Sequence, residues 1–215
     1  MSGTLKFVFI AVCFGTALGS YFFCKNKRDW FWLTLALGFT LAADYFLVLH
    51  DWHLLGVAVF CFAHLAYIGR ALAGNRQIVT SAELRQKDRY RGPVLGAGSY
   101  KLVIALLAVI AAAITIAFFV PIGIFIVTVL YAVLFVTNIY VNARYLQHNR
   151  KLAITGLLLF AACDICVLLF NLPVYMGAPV WLRGVFPLIW VFYLPSQILL
   201  SVSAMDYSRT NSKNV

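Results

Sequence analysis

Apolar residues run along this chain in blocks of about 20, the length at which a helix rising ~1.5 Å per residue crosses the ~30 Å hydrocarbon core of a bilayer. The blocks fall near residues 5–24, 30–50, 54–73, 102–119, 122–142, 151–171 and 184–204. Residues 102–141 continue without a charge, yet that length suits two crossings better than a re-entrant pair, and Pro121 divides it at its midpoint. The pattern predicts an all-α integral membrane protein, a bundle of seven transmembrane helices forming a single transmembrane domain over residues 1–215. Residues 7–19 look like the apolar part of a signal peptide. The basic residues are denser after that run, at Lys25, Lys27 and Arg28, than before it, at Lys6, so it is expected to stay as a helix.

Composition agrees with this reading. The chain is 63% hydrophobic and 11% charged, outside the range of soluble globular proteins. A formal net charge of +10 would suit nucleic acid, but the positive residues crowd the short segments between apolar runs, as they do at cytoplasmic membrane faces. No nucleic-acid partner is expected. Only Lys6 and Arg183 fall on one side of a seven-span arrangement, which places the N-terminus outside and the C-terminus in the cytoplasm. A basic cytoplasmic loop is expected at about 74–101, with Arg76, Arg85, Lys87, Arg89, Arg91 and Lys101; it fixes topology, or binds anionic membrane lipids. Within it, Thr80-Ser81-Ala82-Glu83 reads as a capping box starting a short surface helix. A bacterial inner membrane and the endoplasmic reticulum membrane both fit, and the oligomeric state is open. The five cysteines fall in or at the ends of spans without zinc or disulfide spacing and read as packing residues.

Polar residues inside the spans are the informative ones, because in lipid each needs a partner or a cavity to face. Only two of the seven acidic residues, Asp44 and Asp164, lie within spans. Measured from Trp30 and Lys151 at ~1.5 Å per residue, both sit about 20 Å into the membrane. His64 and Tyr193 fall nearer the middle, Tyr67 and Gln197 lower still. His64 and Tyr67 are three apart and Tyr193 and Gln197 four apart, so each pair shares a helix face and the set forms a polar column under the carboxylates. Taken singly, each has a plainer reading as a core histidine, a packed aromatic or an interhelical hydrogen bond. Asn138 and Asn142 are expected as packing or headgroup-level residues. His50, Asp51 and His53 gather in a turn, but the ligand set is incomplete and no metal is expected. Finally, "LAADYFLVL" at 41–49 echoes "AACDICVLL" at 161–169, as a parallel repeat about an axis along the membrane normal would.

These residues resemble the YhhN family of membrane lysoplasmalogenases, whose first signature pairs Gly-Asp with Phe-x-x-x-His-x-x-Tyr on the next helix. Here it reads Ala43-Asp44, then Phe60, His64 and Tyr67. The second signature, Ser-Asp followed by a helix with Tyr and Gln, reads Cys163-Asp164, then Tyr193 and Gln197; Tyr131 is similar to the family's mid-chain tyrosine. The chain departs from the pattern at Ala43 and Cys163. Many family members carry one further N-terminal span, so eight helices remain an alternative to seven.

The resemblance implies hydrolysis of the vinyl ether bond of a lysoplasmalogen, a lysophospholipid substrate, to a fatty aldehyde and a glycerophospho-alcohol, without cofactor or metal. Protonating the β-carbon creates an oxocarbenium ion that water attacks, which needs one carboxylic acid and one carboxylate. Two carboxyl groups in one apolar pocket resist double ionisation, so a single proton held between Asp44 and Asp164 is the expected state. Tyr67, Tyr131, Tyr193, His64 and Gln197 are then substrate-binding residues, the aliphatic chain lies in an apolar groove between helices, and Arg70 or Arg183 stands near the headgroup. The alternative is a proton-coupled membrane transporter using the same aspartates as a proton relay. A third reading has the aspartates only bonding helices together. A retinal protein is excluded, because span seven has no lysine for a Schiff base.

Overall fold

Asn26 caps the start of a helix, its side chain accepting hydrogen bonds from the backbone N–H groups of Arg28 and Asp29 at 3.0 and 3.3 Å. In the computed structural model, which describes residues 3–24, 26–83 and 122–205 and leaves out the side chains of 74–83, 175 and 176, every regular element is helical. The helices are α1 (Gly3–Gly19), α2 (Lys27–Asp44), α3 (His53–Glu83), α4 (Ile122–Tyr145), α5 (Arg150–Met176) and α6 (Phe186–Val202). Short tighter turns follow α1 (Ser20–Phe22) and precede α6 (Val180–Val185), and a π-helical turn, Tyr45–Leu49, continues α2. Six helices among the described residues are long and apolar enough to cross a membrane. The expected span at 102–119 lies outside the described residues.

α3 overturns one local expectation. Its 31 residues run without interruption to Glu83, so Thr80-Ser81-Ala82-Glu83 closes that helix and does not start another. Residues 70–83 contain no proline to stop it, and inside a continuous helix the N–H groups of 80–83 already bond to the preceding turn, leaving nothing for a capping box to cap. At ~1.5 Å per residue α3 is roughly 46 Å long, more than the ~30 Å a hydrocarbon core requires. Residues 74–83 of the expected basic loop are therefore helical, and the remainder of that loop lies outside the described residues.

Each helix packs on the next in chain order, and α1 closes a ring by packing on α6, while α2 also touches α6 across the interior. Among the described helices the tightest pairs are α2 with α3 and α5 with α6. Small residues and aromatics share the interior with a few large aliphatic ones, among them Leu33, Leu37, Leu157 and Leu200. On α3, Ala63 and Ala66 are buried while Phe62 and Leu65 stand exposed, the reverse of a water-soluble bundle. Lipid tails are as apolar as leucine, so large aliphatic residues gain nothing by turning inward, and small ones let backbones approach.

Two glycines make that approach possible. A Cβ on Gly56 would come within 3.2 Å of the Ala43 carbonyl oxygen of α2 and closer still to Leu47, and one on Gly156 would come within 2.9 Å of Leu200 and 3.3 Å of the Ser196 carbonyl oxygen of α6. Gly156→Leu is expected to cost about 1–3 kcal/mol by overpacking, read as a lower unfolding temperature in detergent. Gly15→Leu, which meets no described atom within 4 Å, should leave it unchanged.

Candidate active site

Asp44 ends α2, and the π-helical turn opens at the next residue, Tyr45. Such turns re-aim side chains and recur at functional positions. The Asp44 side chain is buried and accepts a hydrogen bond from the Tyr193 hydroxyl of α6. Asp164, half-buried on α5, accepts one from the Tyr131 hydroxyl of α4 at 2.6 Å. Each carboxylate thus has one oxygen held by a phenol from another helix.

The two pairs are linked through one cluster of rings, Tyr131 to His64 to Phe160 to Tyr193. Phe160 of α5 joins the walls: its ring centroid lies 5.7 Å from Phe60, 5.9 Å from His64, 5.4 Å from Phe135 and 5.5 Å from Tyr193. His64 stacks on Phe135 at 4.6 Å and meets Tyr131 edge-on at 4.9 Å. Aromatic walls of this kind exclude water and strengthen every charge interaction inside.

Among the polar atoms buried without a hydrogen-bond partner in the described residues are His64 Nε2 on α3 and Ser196 Oγ, Gln197 Nε2 and Gln197 Oε1 on α6, together with Thr34 Oγ1 and Trp190 Nε1. Buried polar groups are normally paired, so these atoms suit a ligand with its own donors and acceptors. Gln197 offers one of each, which suits hydroxyl groups or water better than a group that can only accept.

The structure gathers Asp44, Asp164, His64, Tyr131 and Tyr193 directly, with Tyr67 and Gln197 buried one helical turn further along α3 and α6. Asn138 and Asn142 take the packing alternative: both are fully buried, Asn138 Nδ2 lies 3.1 Å from His64 Nδ1, and Asn142 Nδ2 donates to Asn138 Oδ1 at 2.6 Å. Tyr131, Phe135, Asn138 and Asn142 form one stripe on α4. One reading is corrected: Arg70 is not free to meet a headgroup. It is 1% exposed and grips both oxygens of Asp29 at 2.8 Å each, the Ser203 hydroxyl at 2.7 Å and the Ser203 carbonyl at 3.1 Å. Ser196 was missed altogether, because nothing in a sequence says which serine of an apolar helix lacks a partner.

Other polar clusters lie apart from the aspartates. His50, Asp51 and His53 are exposed in the α2–α3 turn, where the His50 ring packs on Tyr45 at 4.7 Å and on Trp52 at 5.4 Å. A shallow surface cavity lined by Leu146, Gln147, Asn149, Arg150, Lys151 and Leu152 opens at the α4–α5 turn, about 20 Å from Asp164 by helix rise.

The profile of the YhhN family matches residues 4–204, all six described helices except the first residue of α1. The chain belongs to the YhhN family. Searches of curated proteins and of solved structures each return no match. For this YhhN protein the matched region takes in both aspartates, both tyrosine partners and the orphaned polar atoms.

Proposed function

We infer that this YhhN protein hydrolyses the vinyl ether bond of a lysoplasmalogen, with Asp44 and Asp164 dividing the acid and base work. The observation that carries the reading is a pair of carboxylates on apolar, span-length helices, each with one oxygen held by a tyrosine, the two tyrosines joined through His64 and Phe160 in one ring cluster. One aspartate, as the acid, gives its proton to the β-carbon of R–CH=CH–O–R′, and the positive charge spreads over the α-carbon and the ether oxygen. The other, as carboxylate, takes a proton from water as its oxygen attacks the α-carbon. The resulting hemiacetal loses the alcohol R′–OH and leaves the aldehyde R–CH2–CHO, so one water is consumed and no redox partner is needed. His64, Tyr67 and Gln197 hold the water and the glycerol portion. The N-terminus faces outside and the C-terminus the cytoplasm, in a bacterial inner membrane or the endoplasmic reticulum membrane.

The transporter reading is less well supported, for a chemical reason. The hydrogen-bonded path from His64 toward the Arg70 end runs through Asn138 and Asn142, and carboxamides orient neighbours without passing protons on.

The test is direct. Purified protein in detergent, given a lysoplasmalogen in D2O, should release fatty aldehyde carrying one deuterium on carbon 2 when trapped at once by borohydride. Its saturated alkyl ether analogue should be inert. Aldehyde without deuterium, or no aldehyde, overturns the reading. A second expected result concerns the phenols: Tyr193→Phe should lower kcat/KM about tenfold or more, the value of a hydrogen bond to a charged group being ~1.5–3 kcal/mol, with Tyr131→Phe similar.

A further inference from the structure

We propose that Asn138 and Asn142 are positioning residues that lock His64 in its Nε2–H tautomer, making it a hydrogen-bond donor, not a base, toward the glycerol oxygens of the substrate. Asn142 Nδ2 lies 3.3 Å from the Tyr67 carbonyl oxygen and 3.0 Å from the Asn138 carbonyl oxygen. Carbonyls only accept, so the group of Asn142 turned toward α3 is its NH2. The Asn138 side-chain atom 2.6 Å from that NH2 must then be the amide oxygen. With its oxygen committed, Asn138 presents its own NH2 to His64 Nδ1 at 3.1 Å. Nδ1 must therefore carry the lone pair, and the ring proton sits on Nε2.

The remaining geometry agrees. Nε2 is buried and without a partner among the described residues, while the ring plane is held by stacking on Phe135 at 4.6 Å. A donor is thus fixed in direction and left without a described partner. A metal ligand or a general base would need the lone pair on the open nitrogen, and the two asparagines deny it that. A buried carboxylate in the place of Asn138 would do the opposite, accepting from Nδ1–H as in serine protease triads, where the reverse exchange gives the wrong tautomer.

The tautomer is independent of the reaction, whereas the donor role toward glycerol rests on the proposed hydrolysis; two readouts separate them. The four histidines, labelled with nitrogen-15, are followed by NMR in detergent at pH 8 without substrate, His64 being assigned by the resonances lost in His64→Gln. The wild type should show Nδ1 unprotonated and Nε2 protonated, and Asn138→Asp should move the proton to Nδ1. Nδ1–H in the wild type, or an unchanged pattern in Asn138→Asp, overturns the lock. Should Asn138→Asp not fold, Asn142→Leu releases the Asn138 amide and should shift part of the population to Nδ1–H; no shift overturns the link to Asn142. With a lysoplasmalogen, Asn138→Asp should raise KM about tenfold and lower kcat by less than threefold. A fall in kcat with KM unchanged, the mark of a smaller folded fraction, overturns the donor role.

Discussion

Asp44→Asn and Asp164→Asn should each lower the kcat/KM for vinyl ether cleavage by about 10²–10⁴, the range for loss of one positioned acid or base. The exchange is nearly isosteric, and an amide can still accept from Tyr193 or Tyr131, so the helices should stay in place. What the amide cannot do is deliver a proton to carbon or take one from water. Because the two groups act as one unit, the double variant should be hardly slower than the slower single one. Gel filtration and thermal unfolding in detergent, matched to the wild type, show that the loss is chemical. Wild-type rates in either well-folded variant would remove that aspartate from the mechanism. Asp44 is buried and Asp164 half-buried, so the two variants also report whether unequal surroundings give the pair unequal roles.

The second large effect lies at the other end of the bundle. Arg70→Met should destabilise the protein by about 3–5 kcal/mol, the usual result of removing one partner from a buried ion pair. Asp29 would keep its charge inside the bundle with the guanidinium gone, and Ser203 would lose its donor. The clamp joins α2, α3 and α6, the three helices that carry Asp44, His64 with Tyr67, and Tyr193 with Gln197. The consequence should therefore reach the chamber as lower activity at temperatures where the wild type is intact. Asp29→Leu combined with Arg70→Met should recover much of the stability, since replacing both charges by apolar groups removes the desolvation cost along with the attraction. Unfolding temperatures of the two singles and the double decide it: equal losses that simply add would mean Arg70 contributes packing, not pairing.

The ends of the helices show where the one-dimensional signal stops. Apolar blocks placed the described spans to within a few residues, because twenty apolar residues in a row have few other uses. α3 overran its block because a helix, once propagating, continues through polar residues until something stops it. Hydropathy reports where lipid begins, not where hydrogen bonds end.

Within the spans, the rarity of carboxylates was enough to single out Asp44 and Asp164, and helical spacing was enough to join His64 with Tyr67 and Tyr193 with Gln197. Both follow from rules that act locally: the cost of a charge in lipid and the period of the helix. The partners did not follow. Asp44 meets Tyr193 across 149 positions, Asp164 meets Tyr131 across 33, and Arg70 meets Asp29 and Ser203 across 41 and 133. Such pairings are set by how helices rotate and cross, which no spacing along a single helix encodes. The same holds for direction: the sequence contains two asparagines and a histidine, but only their distances to fixed backbone carbonyls decide which nitrogen holds the proton.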